Sequence, residues 1–271
     1  MHLTHYDPAW IKKMNYCKPY DQRVALEVMR KMADTGMDML VLDVGDAVKF
    51  KAYPQLHRPY SVPLSTYRAL VKQAQGMGLT VIPKLNFARG DDMHNAWMHP
   101  FDELVNIETY CRHAVQMILE LSEGLNIRYF HIGMDEDDRD AETFANTIKE
   151  IHDELARRKI RTIIWADVER RFARHQKFLA AYPVLPRDII MMPWGYLTKS
   201  SAAWIRKFNE EGFETWGCCG GDAENVRMWV KDLRENNGKG LLASCWQPLI
   251  RKNKAAFIKT IETVMRVVGE E

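Results

Sequence analysis

Two adjacent carboxylates, Asp135 and Glu136, close an apolar run, Tyr129-Phe130-His131-Ile132-Gly133-Met134, whose composition is that of a buried strand. Acids at the carboxyl end of such a strand face the side on which an α/β barrel keeps its chemistry. Their adjacency constrains what that chemistry is. A separate nucleophile and acid must grip a glycosidic bond from opposite faces of the sugar at ~5 Å separation, which neighbours on one strand end do not readily do. A different division of labour suits them. One carboxyl protonates a leaving oxygen while the other orients and stabilises a substrate's own acetamido group acting as nucleophile. The competing reading is an acidic helix N-terminus, since Asp137, Asp138 and Asp140 extend the acidity and carboxylates favour a helix's first turn. That reading leaves unexplained why an apolar run with a histidine in it precedes the pair.

Other side chains fit the same chemistry. Trp165, Trp194, Trp216 and Trp246 fall at expected strand ends. Sugars present apolar C–H faces that stack on flat aromatics, and an acetamido methyl needs an apolar box, so a ring of tryptophans at a barrel mouth suits an amino sugar. Asp43 and Asp46 follow the second strand, where they either accept sugar hydroxyls and tune the acid pair or serve as solvated or capping residues. His131, inside an apolar strand, reads as a buried hydrogen-bonding residue supporting Asp135. A metal site built from His2, His5, His131, Asp135 and Glu136 is the rival, because barrel enzymes do mix histidine with carboxylates. However, His2-x-x-His5 lacks the alternate spacing that points two imidazoles inward from one strand. No metal or cofactor is expected.

The elements that must position these residues follow from periodicity. Eight short apolar runs, His2 to Tyr6, Met39 to Asp43, Thr80 to Asn86, Tyr129 to Met134, Arg161 to Ala166, Ile189 to Pro193, Phe213 to Gly217 and Gly240 to Trp246, alternate with amphipathic segments. Gln22 to Thr35 places Val24, Ala25, Val28, Met29 and Met32 on one stripe ahead of Gly36. Ser65 to Gln75, Ala141 to Arg158 and the closing Lys254 to Val268 repeat that pattern. Eight such units predict a single (β/α)8 TIM barrel over residues 1–271. An open doubly wound sheet has the same local pattern but would be expected to carry a Gly-x-Gly-x-x-Gly fingerprint, which is absent. The connections Asp7 to Asp21, Asp43 to Leu64 and Phe87 to Asp102 are long, and they lie on the face where barrels build their sites.

With 271 residues, 46% of them hydrophobic, the chain can bury a full core. A net charge of +2 gives no electrostatic reason to expect a nucleic-acid or membrane partner. Five cysteines without C-x-x-C spacing suggest reduced thiols. No run of ~18 apolar residues is present, so a soluble chain is expected. A cytoplasmic location is favoured, and a secreted one follows if a leader has been trimmed.

The segment His131-Ile132-Gly133-Met134-Asp135-Glu136 resembles the His-x-Gly-Gly-Asp-Glu signature of the family-20 β-N-acetylhexosaminidases, with Met134 in place of the second glycine. Gly78-Leu79-Thr80-Val81-Ile82-Pro83 is similar to that family's third strand, and Ile164-Trp165-Ala166-Asp167 to its fifth-strand Trp-x-Glu or Trp-x-Asp. The resemblance covers much of the barrel. It implies that Glu136 is the general acid, that Asp135 holds the acetamido group, and that a tyrosine, here Tyr196, donates to the acetamido carbonyl. It also places Asp167 among the residues that contact substrate. The chain departs from the family in three places: Lys84-Leu85-Asn86 stands where Glu-Ile-Asp is usual, Tyr6-Asp7-Pro8 lacks the expected arginine, and Trp246-Gln247-Pro248 replaces Trp-x-Glu. Asn86 is counted with the substrate-contacting residues. The expectation is therefore a retaining glycosidase acting on a terminal β-linked N-acetylhexosamine. A metal-dependent barrel hydrolase or isomerase and a non-catalytic carbohydrate-binding barrel are the alternatives.

Overall fold

The computed structural model describes residues 1–4, 21–89, 97–98, 107–168 and 173–270. Eight parallel strands close a barrel: β1 (His2–Thr4), β2 (Met39–Asp43), β5 (Thr80–Lys84), β6 (Tyr129–His131), β7 (Arg161–Ala166), β8 (Ile190–Pro193), β9 (Glu214–Cys219) and β10 (Gly240–Pro248). β1 completes the ring by pairing with β10 on one side and β2 on the other. β3 (Val48–Lys49) and β4 (Val62–Pro63) form a separate parallel pair inside the long connection after β2. The alternation of apolar runs and amphipathic segments is thus a TIM barrel, as the sequence predicts. His5 and Tyr6, the end of the expected first strand, and the connection that follows as far as residue 20 lie outside the described residues.

Helices α1 (Gln22–Asp34), α2 (Leu64–Gly76), α3 (Ile107–Ser122), α4 (Ala141–Arg157), α5 (Ala173–Ala181), α6 (Ala202–Glu210), α7 (Ala223–Glu235) and α8 (Lys254–Glu270) accompany the strands. Their starts follow from capping: Asp21, Asp140 and Asp222 each accept backbone N–H groups of the first turn. α1 buries the expected stripe of Val24, Ala25, Val28, Met29 and Met32. Among the described residues no helix is long and apolar enough to cross a membrane. Cys111, Cys218, Cys219 and Cys245 are free thiols.

Side chains alternate across each strand, so every second residue enters the barrel. Val41, Ile82, Ile163, Ile190, Met192, Trp216 and Leu242 form an apolar interior distinct from the core between strands and helices. The same inward rows then turn polar: Val41 is followed by Asp43, Ile82 by Lys84 and Asn86, and Ile163 by Trp165 and Asp167.

At the end of β6 the chain makes an unusual turn. Gly133, Met134 and Glu136 have φ of 75°, 79° and 52°, left-handed values that cost a non-glycine residue of order 1–2 kcal/mol. Gly133 has a second constraint. A Cβ there would lie 2.0 Å from Asn86 Oδ1 and 2.6 Å from Asn86 Cα. Gly133→Ala is therefore expected to destabilise the fold by about 2–4 kcal/mol, combining strain with overpacking against backbone. Urea unfolding measures this, and a loss under about 0.5 kcal/mol would show that the turn tolerates a side chain.

Candidate functional site

Asp135 and Glu136 stand just beyond β6, five and four residues before Asp140, the N-cap of α4. They are therefore not the cap or first turn of that helix. Asp137 is used locally: its carboxylate is 2.5 Å from Arg139 and also accepts the Arg89 N–H at 2.7 Å. The acid pair is thus set apart from the acidic residues that follow it.

Asp135 is buried and its Oδ1 accepts a 2.7 Å hydrogen bond from Asn86 Nδ2. The other end of the Asn86 amide accepts the N–H groups of Ala88 and Met134. Asn86 thus holds both Asp135 and the turn. His131 differs from expectation. Its Nδ1 accepts the Gly133 N–H at 3.0 Å rather than bonding Asp135, so it supports the turn one step removed. Burial, reinforced by Lys84 and His2, pushes its imidazole well below the usual range, leaving it neutral.

Asp167, just beyond β7, meets the pair from the next strand. Its Oδ2 accepts the Glu136 N–H at 2.6 Å and its Oδ1 accepts the Trp194 Nε1–H at 3.0 Å. Burial, joined by the Asp135 carboxylate, pushes the Asp167 carboxyl up to about 7. An unfolded aspartate titrates near ~3.9. Between these two values the folded protein retains a proton that the unfolded chain has released. Asp167 therefore costs increasing stability as pH rises from about 4 to about 7, and a constant amount above that. Asp167→Asn is expected to gain stability relative to wild type on going from pH 5 to pH 8. A pH-independent difference in unfolding free energy between the two proteins would refute this.

The tryptophans do not form one ring. Trp194 and Trp246 are partly exposed and flank Tyr196, whose hydroxyl accepts the Trp246 Nε1–H at 2.7 Å and whose ring lies 5.7 Å from that of Trp194. Tyr196 is 39% exposed, and desolvation is the chief cause that pushes its hydroxyl well above the usual phenol range. Trp165 is fully buried, 4.4 Å from the His131 ring, and forms a layer beneath. Trp216 lies at the opposite end, where its Nε1 donates to Glu214 and its ring is 5.5 Å from Tyr129. There it lines a cavity of about 280 Å³ with Met1, Met39, Met192 and Leu242. The reason is the length of β9: the strand runs to Cys219, two residues past the expected end, so Trp216 is well below the mouth. Of the four tryptophans expected to gather at one surface, only Trp194 and Trp246 do so, on either side of Tyr196, while Trp165 lies beneath and Trp216 at the far end.

Asp46 is corrected as well. It is fully buried, held by Arg58 Nε at 3.1 Å and the Tyr60 hydroxyl at 2.9 Å, and it organises the connection between β2 and α2. Asp43 points into the barrel, 2.5 Å from Lys84 Nζ and 3.3 Å from His2 Nε2. Burial works against the Asp43 charge, but Lys84 and His2 hold its carboxyl well below the usual range. Lys84, at 0% exposure, sits within 5.9 Å of the Trp165 ring centre and 5.8 Å of that of Trp246. The sequence reading assigned Lys84 no role. Its signal was a lysine on the same inward row as Ile82, which demands a buried acid. Among the described residues no three His, Cys, Asp or Glu side chains converge as a metal site; His2 faces Asp43, and His5 lies outside the described residues.

Fold and site together define a (β/α)8 barrel carrying a carboxylate cluster and an aromatic wall at its carboxyl-end face. No family model matches the chain, and no curated protein matches its sequence. Solved structures do match in fold. A chitobiase from Flavobacterium johnsoniae superposes with a TM-score of 0.72 at 13% identity, covering 98% of this chain and 47% of its own. A family-20 exo-β-N-acetylglucosaminidase from Vibrio harveyi gives 0.67 at 12% identity, covering 98% and 53%. Dispersin B gives 0.55 at 13% identity, covering 99% and 98%. The chain thus spans about half the length of the first two, and nearly all of the third.

Proposed function

We propose that this barrel is a glycoside hydrolase that removes terminal β-linked N-acetylhexosamine by a retaining, substrate-assisted mechanism. The observation that carries the reading is the acid pair on its strained turn, with Asp135 held as an acceptor by Asn86 and Glu136 directed by the bond from its N–H to Asp167. In this reading Asp135, held in place by Asn86, accepts the acetamido N–H and orients that group so that its carbonyl oxygen attacks the anomeric carbon. Glu136 gives its proton to the departing glycosidic oxygen, and then, as carboxylate, takes one from the water that opens the cyclic intermediate. Trp194 and Trp246 offer flat faces for the sugar ring, and the neutral Tyr196 hydroxyl, which accepts from Trp246, retains its own proton to donate to the acetamido carbonyl.

Support also comes from the family resemblance of the His131–Glu136 segment and from the fold shared with chitobiase and N-acetylglucosaminidase structures. Hydrolysis of an aryl β-N-acetylglucosaminide or galactosaminide, unaffected by chelator, is the expected result. Absence of turnover with retained sugar binding would instead identify a carbohydrate-binding barrel. Turnover abolished by chelator would point to a metal-dependent hydrolase.

A further inference from the structure

We propose that Asp167 is a positioning residue that fastens the aromatic seat of the substrate to the acid, one carboxyl holding both the Trp194 indole and the Glu136 backbone. The inference rests on the functional reading above and assigns Asp167 a part different from the sugar contact expected of it. Both of its oxygens are occupied, Oδ1 by Trp194 Nε1 at 3.0 Å and Oδ2 by Glu136 N at 2.6 Å. The residue is nine-tenths buried, and its carbonyl is 2.7 Å from His175 Nδ1, so the backbone is anchored to α5 as well.

What this carboxyl restrains is a strained element. Glu136 has φ of 52°, a conformation that a non-glycine residue keeps only where its surroundings impose it. The bond from Glu136 N–H to Asp167 supplies that imposition. Without it, the backbone relaxes toward negative φ and the Glu136 side chain swings from its aim. The Trp194 N–H fixes the tilt of an indole that packs 5.7 Å from Tyr196. A sugar seated on Trp194 therefore bears on the same carboxyl that aims the acid. The ionisable groups around that carboxyl are Asp135 and Glu136 from the end of β6, with His175 on its carbonyl side. The Trp194 N–H is the side-chain donor that favours its charged form.

Trp194→Phe tests this, because it keeps a flat ring and removes only the donor; Asp167→Asn is the companion variant. On N-acetylglucosaminides with poor leaving groups, both variants are expected to lose about 10- to 100-fold in kcat, while the affinity of Asp167→Asn for N-acetylglucosamine itself changes less than about threefold. The pH midpoint at which thermal stability declines between pH 4 and pH 8 is expected to move upward in Trp194→Phe. Weakened sugar binding with kcat preserved would make Asp167 a substrate ligand and overturn the proposal, as would an unmoved pH midpoint in Trp194→Phe. If wild type turns over no N-acetylhexosaminide, the functional reading fails on its own. The pH midpoint then still decides whether Trp194 governs Asp167.

Discussion

Glu136→Gln is expected to lower kcat by roughly 10² to 10⁴ on substrates whose leaving group needs a proton, and by much less on activated aryl glycosides. The amide keeps the size and hydrogen-bonding span of the acid but has no proton of useful acidity to give. Asp135→Asn is expected to behave differently. Asn86 Nδ2 donates to Asp135 Oδ1 at 2.7 Å, so an asparagine either turns its own NH2 against that donor or loses its acceptor toward the acetamido N–H. Orientation and charge stabilisation of the nucleophile then suffer whatever the leaving group. The loss should persist on activated substrates, and a thiazoline mimic of the cyclised intermediate should inhibit wild type more strongly than the variant. Equal losses from both substitutions across all leaving groups, or undiminished hydrolysis of sugars lacking the acetamido group, would sink the substrate-assisted mechanism.

Lys84→Met is expected to be the most destabilising substitution in the barrel interior, at about 3–5 kcal/mol. Lys84 and Asp43 are both buried and meet at 2.5 Å. Removing the lysine leaves an aspartate charge with His2, itself disfavoured as a cation by burial, as a remaining partner 3.3 Å away. The expected consequence is that Asp43 loses its low titration, so the variant should recover part of its stability at acid pH. Lys84→Met combined with Asp43→Leu should recover more of the loss, because two apolar groups leave no buried charge unpaired. Chemical unfolding of the single and double variants measures both effects. If the single variant loses less than 1 kcal/mol, the pair contributes little to stability.

Several differences between expectation and structure have a common origin. Asn86 and His131 were placed near the acid pair by their strand ends, and they do lie there, but their hydrogen bonds go to the turn as well as, or instead of, Asp135. Asp46 sits in a connection whose folding onto Arg58 and Tyr60 is a matter of contacts 12 and 14 residues away. Trp165 was expected at the barrel mouth with the other tryptophans, but it is buried beneath the site, its ring 6.4 Å from that of Trp246, which comes from a strand far along the chain.

The sequence by itself determined which segments are strands and helices, and that the acid pair ends a buried strand. These are local properties: side chains alternate with a period of two in a strand and near 3.6 in a helix, and the adjacency of Asp135 and Glu136 is covalent. Tertiary structure alone decided the height of each inward residue. It put Trp216 on the floor and Trp194 and Trp246 at the mouth, joined Lys84 to Asp43 across 41 residues, and joined Asp167 to Glu136 across 31. Closing eight tilted strands requires a fixed stagger between neighbours, and that stagger, set by ladder hydrogen bonds between segments distant in the chain, leaves no periodic trace within any one of them.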